Sequence, residues 1–271
     1  MPLWIVSTPI GTLDDLSPRA RQVLADAAVV YCEDTRTTRK LLSALDIAAP
    51  ALEALHAHNE GARADAVAAR AMEQDVALVS DAGTPGVSDP GTPVVAACLA
   101  AGVEIRSVPG PSALAAALAA SGMPAAPSTF LGFAPRKGRD RFCTDALARP
   151  ETLVIYEAPT RVADLARRLA SVDGRREAVL CRELSKRFEE VIRAPLDDLA
   201  ARLAHQTVRG ECVLVVGPGE PVAPAVEGPT VEAGDGLKQI AEALAARWGT
   251  KKREAYQALL ALEEARGGST E

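Results

Sequence analysis

The sequence predicts an α/β protein of two α/β domains with a loop-lined ligand cleft, followed by a small helical C-terminal region. Three observations carry this. Short apolar runs of the buried-strand type alternate with stretches of helical spacing, Pro/Gly-rich segments break the alternation twice, and the composition can fill an aliphatic core.

The first apolar run is residues 3–7, and the pattern recurs at 29–32, 76–79, 103–108, 153–156, 178–181 and 212–216. Helical stretches fall at 18–27, 62–72, 93–101, 112–120, 161–169 and 196–203. The first of these opens with Ser17 as N-cap and Pro18 at the first helical position. Strands alternating with helices imply layered, largely parallel sheets. Pro and Gly concentrate around Pro124, which places a domain boundary between residues 1–122 and 123–219. A Pro/Gly/Val stretch makes 220–233 a linker, and 234–271 reads as two amphipathic helices joined at Gly249.

The chain has 271 residues, and 48% of them are hydrophobic, so it can bury a core and is not a disordered chain. Aromatics are only 3%, which argues against a sequence-general single-strand binder built from stacking platforms. The net charge of −6 supplies no global field toward nucleic acid or anionic membrane, although a local basic patch could still hold a specific RNA. Five scattered Cys, odd in number and without a CxxC pair, point to a reducing compartment. With three His, no Cys/His zinc framework is expected. The N-terminal segment lacks the basic flank of a signal peptide, and no apolar run is long enough to span a bilayer.

Familiar phosphate loops are missing. There is no GxxxxGK[ST], and the GxG at Gly217–Gly219 leads into the linker rather than a helix. Three other Gly/Pro loops follow strands: STPIGTL at 7–13, SDAGTPGVSDPG at 80–91, and PGPSA at 109–113, which opens an Ala-rich helix. Each alone reads as a tight turn. Three in one half of the chain point to a shared cleft, where Gly permits close backbone approach and helix-start N–H groups hold polar groups.

EDTR at 33–36 also follows a strand. Glu33, Asp34 and Arg36 could serve acid/base or positioning roles, or form an N-cap with salt bridges for the next helix. His56 and His58 read as polar lining rather than as a metal site. In the second half, Tyr156, Arg182, Glu183 and Lys186 end strands, where plain surface charge is the alternative reading. Arg136, Lys137, Arg139 and Arg141 crowd into what reads as a flexible loop, and Lys251, Lys252 and Arg253 cluster near the end. These are candidate phosphate contacts, or solvated faces.

Taken together and in order, STPIGTL, EDTR, HAHNE, SDAGTPGVSDPG, PGPSA, LGFAPRKG, YEAPTR, RELSKRFEE and GECVLVV resemble the ribosomal RNA small subunit methyltransferase I family. That family is a branch of the tetrapyrrole (class III) methylases. The resemblance covers about residues 3–217 and, more loosely, the tail. Ser7, Thr12, Thr160 and Ser185 depart from the usual Pro, Asn, His and Thr, and Thr160 carries no imidazole.

The resemblance implies two α/β domains with S-adenosyl-L-methionine in the cleft between them. It implies a homodimer, and with the cysteine usage and the lack of a spanning run the expectation is a cytoplasmic protein with no DNA or membrane partner. The reaction implied is 2′-O-methylation of a cytidine ribose, position 1402 in standard rRNA numbering, in the decoding region of 16S rRNA within the small ribosomal subunit. Carried over to this chain, Pro9, Ile10 and Gly11 would floor the cleft. Asp81, Ala82, Gly83, Thr84, Val87 and Ser88 would surround the methionine end, joined by Ser112 and Ala113. Tyr156, Leu184 and Val213 would wall the adenine.

A ribose hydroxyl needs help losing its proton, so Asp34, first, and then Glu33, Glu183 and Lys186 are the candidate catalytic groups. Arg36, Arg136, Lys137, Arg139, Arg141, Arg182, Lys251 and Lys252 are the candidate RNA contacts. The competing readings are a class III methylase acting on a small tetrapyrrole and a non-catalytic ribosome-binding protein.

Overall fold

The computed structural model describes residues 1–48, 50–220, 236–248 and 250–267. The chain divides into one compact unit, Met1–Val222, and a second, Ala223–Glu271. Most of the expected linker, and the Gly249 junction, lie outside the described residues.

The first unit contains two five-stranded sheets. The first comprises β1 (Leu3–Val6), β2 (Val29–Cys32), β3 (Ala51–Ala54), β4 (Val76–Val79) and β5 (Ile105–Val108), in the order β3-β2-β4-β1-β5. Every pairing in it is parallel. The helices between its strands are α1 (Pro18–Asp26), α2 (Thr35–Ala44), α3 (Glu60–Glu73) and α4 (Thr92–Ala100). Alternate strand residues feed opposite faces. Leu3, Val29, Tyr31, Val76 and Leu78 pack with α3 and α4 residues, whereas Val6, Val30, Cys32, Ala77 and Val79 pack with α1 and α2. The chain moves one way across the sheet through α1 and α2 and back through α3 and α4. Right-handed crossovers in opposite directions must lie on opposite faces, and they do. Ser17 caps α1, its hydroxyl accepting from the Ala20 N–H at 3.1 Å.

The second sheet comprises β6 (Ser128–Phe133), β7 (Thr152–Glu157), β8 (Glu177–Arg182), β9 (Glu190–Pro195) and β10 (Cys212–Val216), in the order β6-β7-β10-β8-β9. Only β6 and β7 run parallel, so the expectation of largely parallel sheets fails here. The connection 183–189 between β8 and β9 is too short for the helical crossover a parallel pair needs. One face of this sheet packs against α6 (Arg139–Leu147), α7 (Pro159–Asp173) and α8 (Leu196–Ala204).

Its other face receives α5 (Ala113–Ser121), the helix that follows β5. Ala117, Ala113, Leu114 and Leu118 of α5 meet Val154, Val179, Cys181, Val213 and Val215. An Ala/Leu helix that is apolar nearly all round is one meant to be enclosed. Here it joins the two sheets into one body.

In the second unit, α9 (Leu237–Trp248) and α10 (Lys252–Gly267) form a helical pair. Ala241, Ala245 and Ala255 pack there with Leu244, Tyr256 and Leu259. All five Cys are free and buried. Among the described residues, no helix is long and apolar enough to cross a membrane.

Arg176 sits between α7 and β8 and is 3% exposed. Its guanidinium donates to the carbonyls of Gly217 (2.6 Å), Glu151 (2.8 Å) and Leu147 (3.1 Å), tying three loops together. Arg176→Met leaves these buried carbonyls without donors and is expected to cost about 3–5 kcal/mol in urea unfolding. A cost under about 1 kcal/mol contradicts this account of the loops.

Candidate functional site

The three Gly/Pro loops lie side by side at the carboxyl ends of β1, β4 and β5, the neighbouring strands at one side of the first sheet. They are laced together. The Thr8 N–H donates to the Gly83 carbonyl at 2.8 Å, and the Gly83 N–H returns to the Thr8 carbonyl at 3.1 Å. The hydroxyls of Ser7 and Thr84 are 2.9 Å apart, and Thr84 Oγ1 donates to the Pro111 carbonyl at 3.3 Å. Gly83 has φ +84°, a conformation that L side chains rarely adopt. At Gly110 a Cβ would come within 2.9 Å of Ser7 Cβ, so only glycine lets the third loop lie against the first.

Between these loops and the second sheet lies a cavity of about 270 Å³. Its lining includes Ile10, Asp81, Ala82, Gly83, Thr84, Val87 and Ser88 from the first two loops. Ser112 and Ala113 from the start of α5, and Tyr156 and Val213 from the second sheet, complete the part the sequence anticipated. Pro9, Gly11 and Leu184 fall outside the lining. Pro9 is buried, and Leu184 is packed in the apolar cluster of α5. Gly11 lies against the Ser185 backbone, where a Cβ would approach Ser185 O to 2.6 Å. There Thr12 Oγ1 donates to the Ser185 carbonyl at 2.6 Å, and the first loop is clasped to the second half of the unit.

None of the four candidate proton-transfer groups lines the cavity. Asp34 is the N-cap of α2: its carboxylate accepts from the Arg36 N–H at 2.8 Å and pairs with the Arg36 guanidinium at 2.6 Å. Those bonds hold its carboxyl far below the usual range and make it a poor base. The plain capping reading therefore accounts for Asp34. Glu183 is held low by the Glu211 N–H and by Lys186, despite some burial. Burial works against the charge on Lys186, but Glu211 and Glu183, both 3.0 Å away, outweigh it and keep the ammonium protonated. Glu33 is raised, by burial first and then by Asp81, with His56 opposing.

Besides Asp81, Glu157 and Glu211, the cavity is lined by the carboxyl of Asp89, to which sequence reasoning gave no role. Burial raises it to about 7, and the charges of Glu33, Asp81 and Glu211 add to this while a Ser80 hydrogen bond opposes. Asp81 is itself raised, again by burial first. Asp89 follows Ser88, a non-glycine residue at φ +64°. The loop is further held by the Gly91 N–H donating to Glu60 Oε2 at 2.7 Å. The signal in the sequence was the DPG end of the long loop, which was read with that loop as part of the cleft but without a role for its acid. Phe133, Glu157 and Gly210 also line the cavity without having been anticipated.

The basic candidates separate. Arg136 and Lys137 are exposed in the turn before α6. Arg139 is not in a flexible loop: it begins α6 and is 9% exposed. It pairs with buried Glu157 at 2.8 Å and with Asp164 at 3.1 Å, which rules out phosphate contact by its side chain. Arg36 and Arg141 are exposed and paired with Asp34 and Asp145, and Arg182 is paired with Glu190. In the second unit Lys251 is exposed and Lys252 pairs with Glu242. His56 and His58 form an edge-to-face pair after β3, outside the cavity. Among the described residues, no group of three or more His, Cys, Asp or Glu could hold a metal ion.

The cavity combines polar and charged lining groups with apolar ones. Ser112 and Ala113, at the start of α5, line it, and Ser112 makes no side-chain cap bond to the first-turn N–H groups. Ile10, Val87, Ala113 and Val213 supply apolar walls.

Comparison with known proteins agrees with this architecture. The profile of the family described as Tetrapyrrole (Corrin/Porphyrin) Methylases matches residues 2–200. The Ribosomal RNA small subunit methyltransferase I of Xylella fastidiosa (strain Temecula1) is 47% identical over 221 residues, covering 79% of this chain and 80% of that protein. The protein of the same name from Mycobacterium bovis is 41% identical over 280 aligned positions, covering 98% of this chain and 97% of that one. Uroporphyrin-III C-methyl transferase from Thermus thermophilus, solved complexed with S-adenyl homocysteine, shares the fold. Its TM-score is 0.55 at 22% identity, over 80% of this chain and 97% of that one.

Arg139→Ala separates the structural role of this arginine from an RNA role. It strips a buried partner from Glu157 and is expected to lower stability by about 3–5 kcal/mol in denaturant unfolding. Arg136→Ala with Lys137→Ala is expected to leave stability within about 0.5 kcal/mol. Equal, small effects from both changes contradict the assignment.

Proposed function

The chain belongs to the ribosomal RNA small subunit methyltransferase I family of the tetrapyrrole methylases, and we propose that it methylates a cytidine ribose of 16S rRNA at the 2′-oxygen. The target we propose is nucleotide 1402 of the decoding region, presented within the small ribosomal subunit. The protein acts in the cytoplasm as a homodimer. The observation that carries the reading is a cavity lined by the three laced loops, with the half-buried carboxyl of Asp89 inside it.

S-adenosyl-L-methionine, when bound, supplies the electrophilic sulfonium methyl. The α5 amides at Ser112 and Ala113 suit its carboxylate, and the backbone of Asp81 to Thr84 suits the rest of the amino-acid end. Ile10, Val213 and Tyr156 exclude water around the purine. Asp89 in its charged form would take the proton of the ribose 2′-hydroxyl held at the cavity. A group with a pKa near 7 is well matched to this task at neutral pH. Arg136 and Lys137, exposed and without carboxylate partners among the described ion pairs, serve the flanking phosphates. This local patch lets a protein of net charge −6 hold RNA.

The test is methyl transfer from radiolabelled S-adenosyl-L-methionine to small subunits lacking the modification, with the labelled nucleotide mapped. Label is expected on one decoding-region ribose. Below about pH 7 Asp89 is protonated and cannot accept a proton. The single-turnover rate should therefore fall about tenfold per pH unit below 7 and level off above it. Asp89→Asn should cost about 10²–10⁴-fold and remove that pH dependence. Label on a base, or transfer only to a free tetrapyrrole, contradicts the reading. A full rate for Asp89→Asn at every pH removes Asp89 as the base.

A further inference from the structure

Phe133 is a large aromatic left 56% exposed at the cavity, in a chain with only four Phe, three Tyr and two Trp. A specific backbone irregularity puts it there. Along the β6–β7 pair, Phe130 lies opposite Val154, but the next matched pair is Phe133 opposite Tyr156. Three steps on β6 answer two on β7, so β6 carries one extra residue, a bulge. Side chains alternate along a strand, and in a regular β6 Phe133 would share the face of Leu131, which packs against the core under α6 and α7. The extra residue reverses the alternation. Ala134 takes the core-facing place, and Phe133 turns to the cavity face, where Phe130 and Tyr156 already lie.

Gly132 absorbs the irregularity at φ +65°, and a Cβ there would approach Ser88 Oγ to 3.4 Å, so the bulge lies against the loop that carries Asp89. Phe130 and Phe133 flank Tyr156 with ring centroids at 4.8 and 5.5 Å and interplanar angles of 67° and 73°. An edge-to-face contact with Tyr156 engages at most one face of the Phe133 ring. The other features of the cavity are accounted for by a cofactor and a proton acceptor. An exposed aromatic re-aimed into it is not.

We propose that Phe133 is the platform on which the pyrimidine ring of the target nucleotide stacks while its ribose reaches Asp89. This rests on the RNA-methylation reading above. Sequence-specific proteins take unstacked RNA bases onto aromatic side chains, and enzymes acting on one nucleotide draw it out of its stack into a pocket. One platform suffices for one nucleotide, which reconciles a single exposed aromatic at the cavity with a 3% aromatic content that argues against general strand binding.

The full-length chain, Phe133→Ala and Phe133→Trp are compared in steady-state methyl transfer to unmodified small subunits. S-adenosyl-L-methionine affinity is measured by calorimetry on the same preparations. Phe133→Ala is expected to raise the subunit KM, or lower kcat/KM, by about 5- to 150-fold, the range of one base–aromatic stack. Cofactor Kd should stay within about twofold, and Phe133→Trp should restore the loss. The side chain is exposed and retained cofactor binding reports folding, so the loss is not one of structure. Weakened cofactor binding with an unchanged subunit KM makes Phe133 a cofactor wall and overturns the proposal, as does no change in either quantity. A wild-type chain that binds cofactor and transfers nothing to the subunit instead defeats the underlying RNA reading.

Discussion

Two backbone hydrogen bonds between Thr8 and Gly83 are the constraint on which the site depends. They join the ends of β1 and β4, adjacent strands whose chains depart across the sheet in opposite directions. A crevice opens at such a place in an α/β sheet. Without the bridge, the loops after β1 and β4 would be independent turns. With it, and with Thr84 reaching to Pro111, three loops form one rigid rim. Rigid backbone is what a methyl-transfer site needs, because the protein must hold two reactants in line rather than supply reactive groups. Glycine is required where the loops touch, and the serine and threonine hydroxyls that knit them are short enough to leave the cavity open.

The second sheet completes the enclosure by a different device. α5 belongs by sequence to the first half of the unit and by packing to the second, since its apolar surface is buried on β7, β8 and β10. Its amino-terminal turn therefore lies at the cavity while its body holds the sheets together. The clasp between Thr12 and Ser185 closes the same gap from the other side. Around the rim, charge is neutralised inward: Glu157 is paired twice, by Arg139 and Arg161. Lys186 is held between Glu183 and Glu211. Asp89 has no such cation: burial first, and then the neighbouring carboxylates, raises it to about 7.

The central strands were legible because burial on both faces forces continuous apolar runs, as in VALV at 76–79 and CVLVV at 212–216. The strands that escaped, β3, β6 and β9, all lie at sheet edges. Their ALEA, STFLGF and EVIRAP carry no such run, since one side or more meets solvent. α6 was hidden for a related reason: RDRFCTDAL reads as charged loop, yet its first arginine is buried on Glu157. In the site, glycine and proline spacing exposed the loops and the shared cleft. It could not show which acid faces inward. Asp34 and Asp89 are both aspartates after strands, and only the folded backbone makes one a helix cap and turns the other into the cavity. Phe133 is the sharpest case, because a single inserted residue reverses the face that alternation assigns it.

The central claim is that the laced loops and the second sheet enclose one cofactor site. Amide hydrogen exchange on the full-length chain, with and without saturating S-adenosyl-L-methionine, tests it most directly. The account predicts new protection in three places on the first half of the unit, at residues 81–84, 87–89 and 112–116, together with 156–158 and 210–213 on the second sheet. Binding seen by calorimetry with protection confined to one sheet, or placed away from these loops, contradicts it.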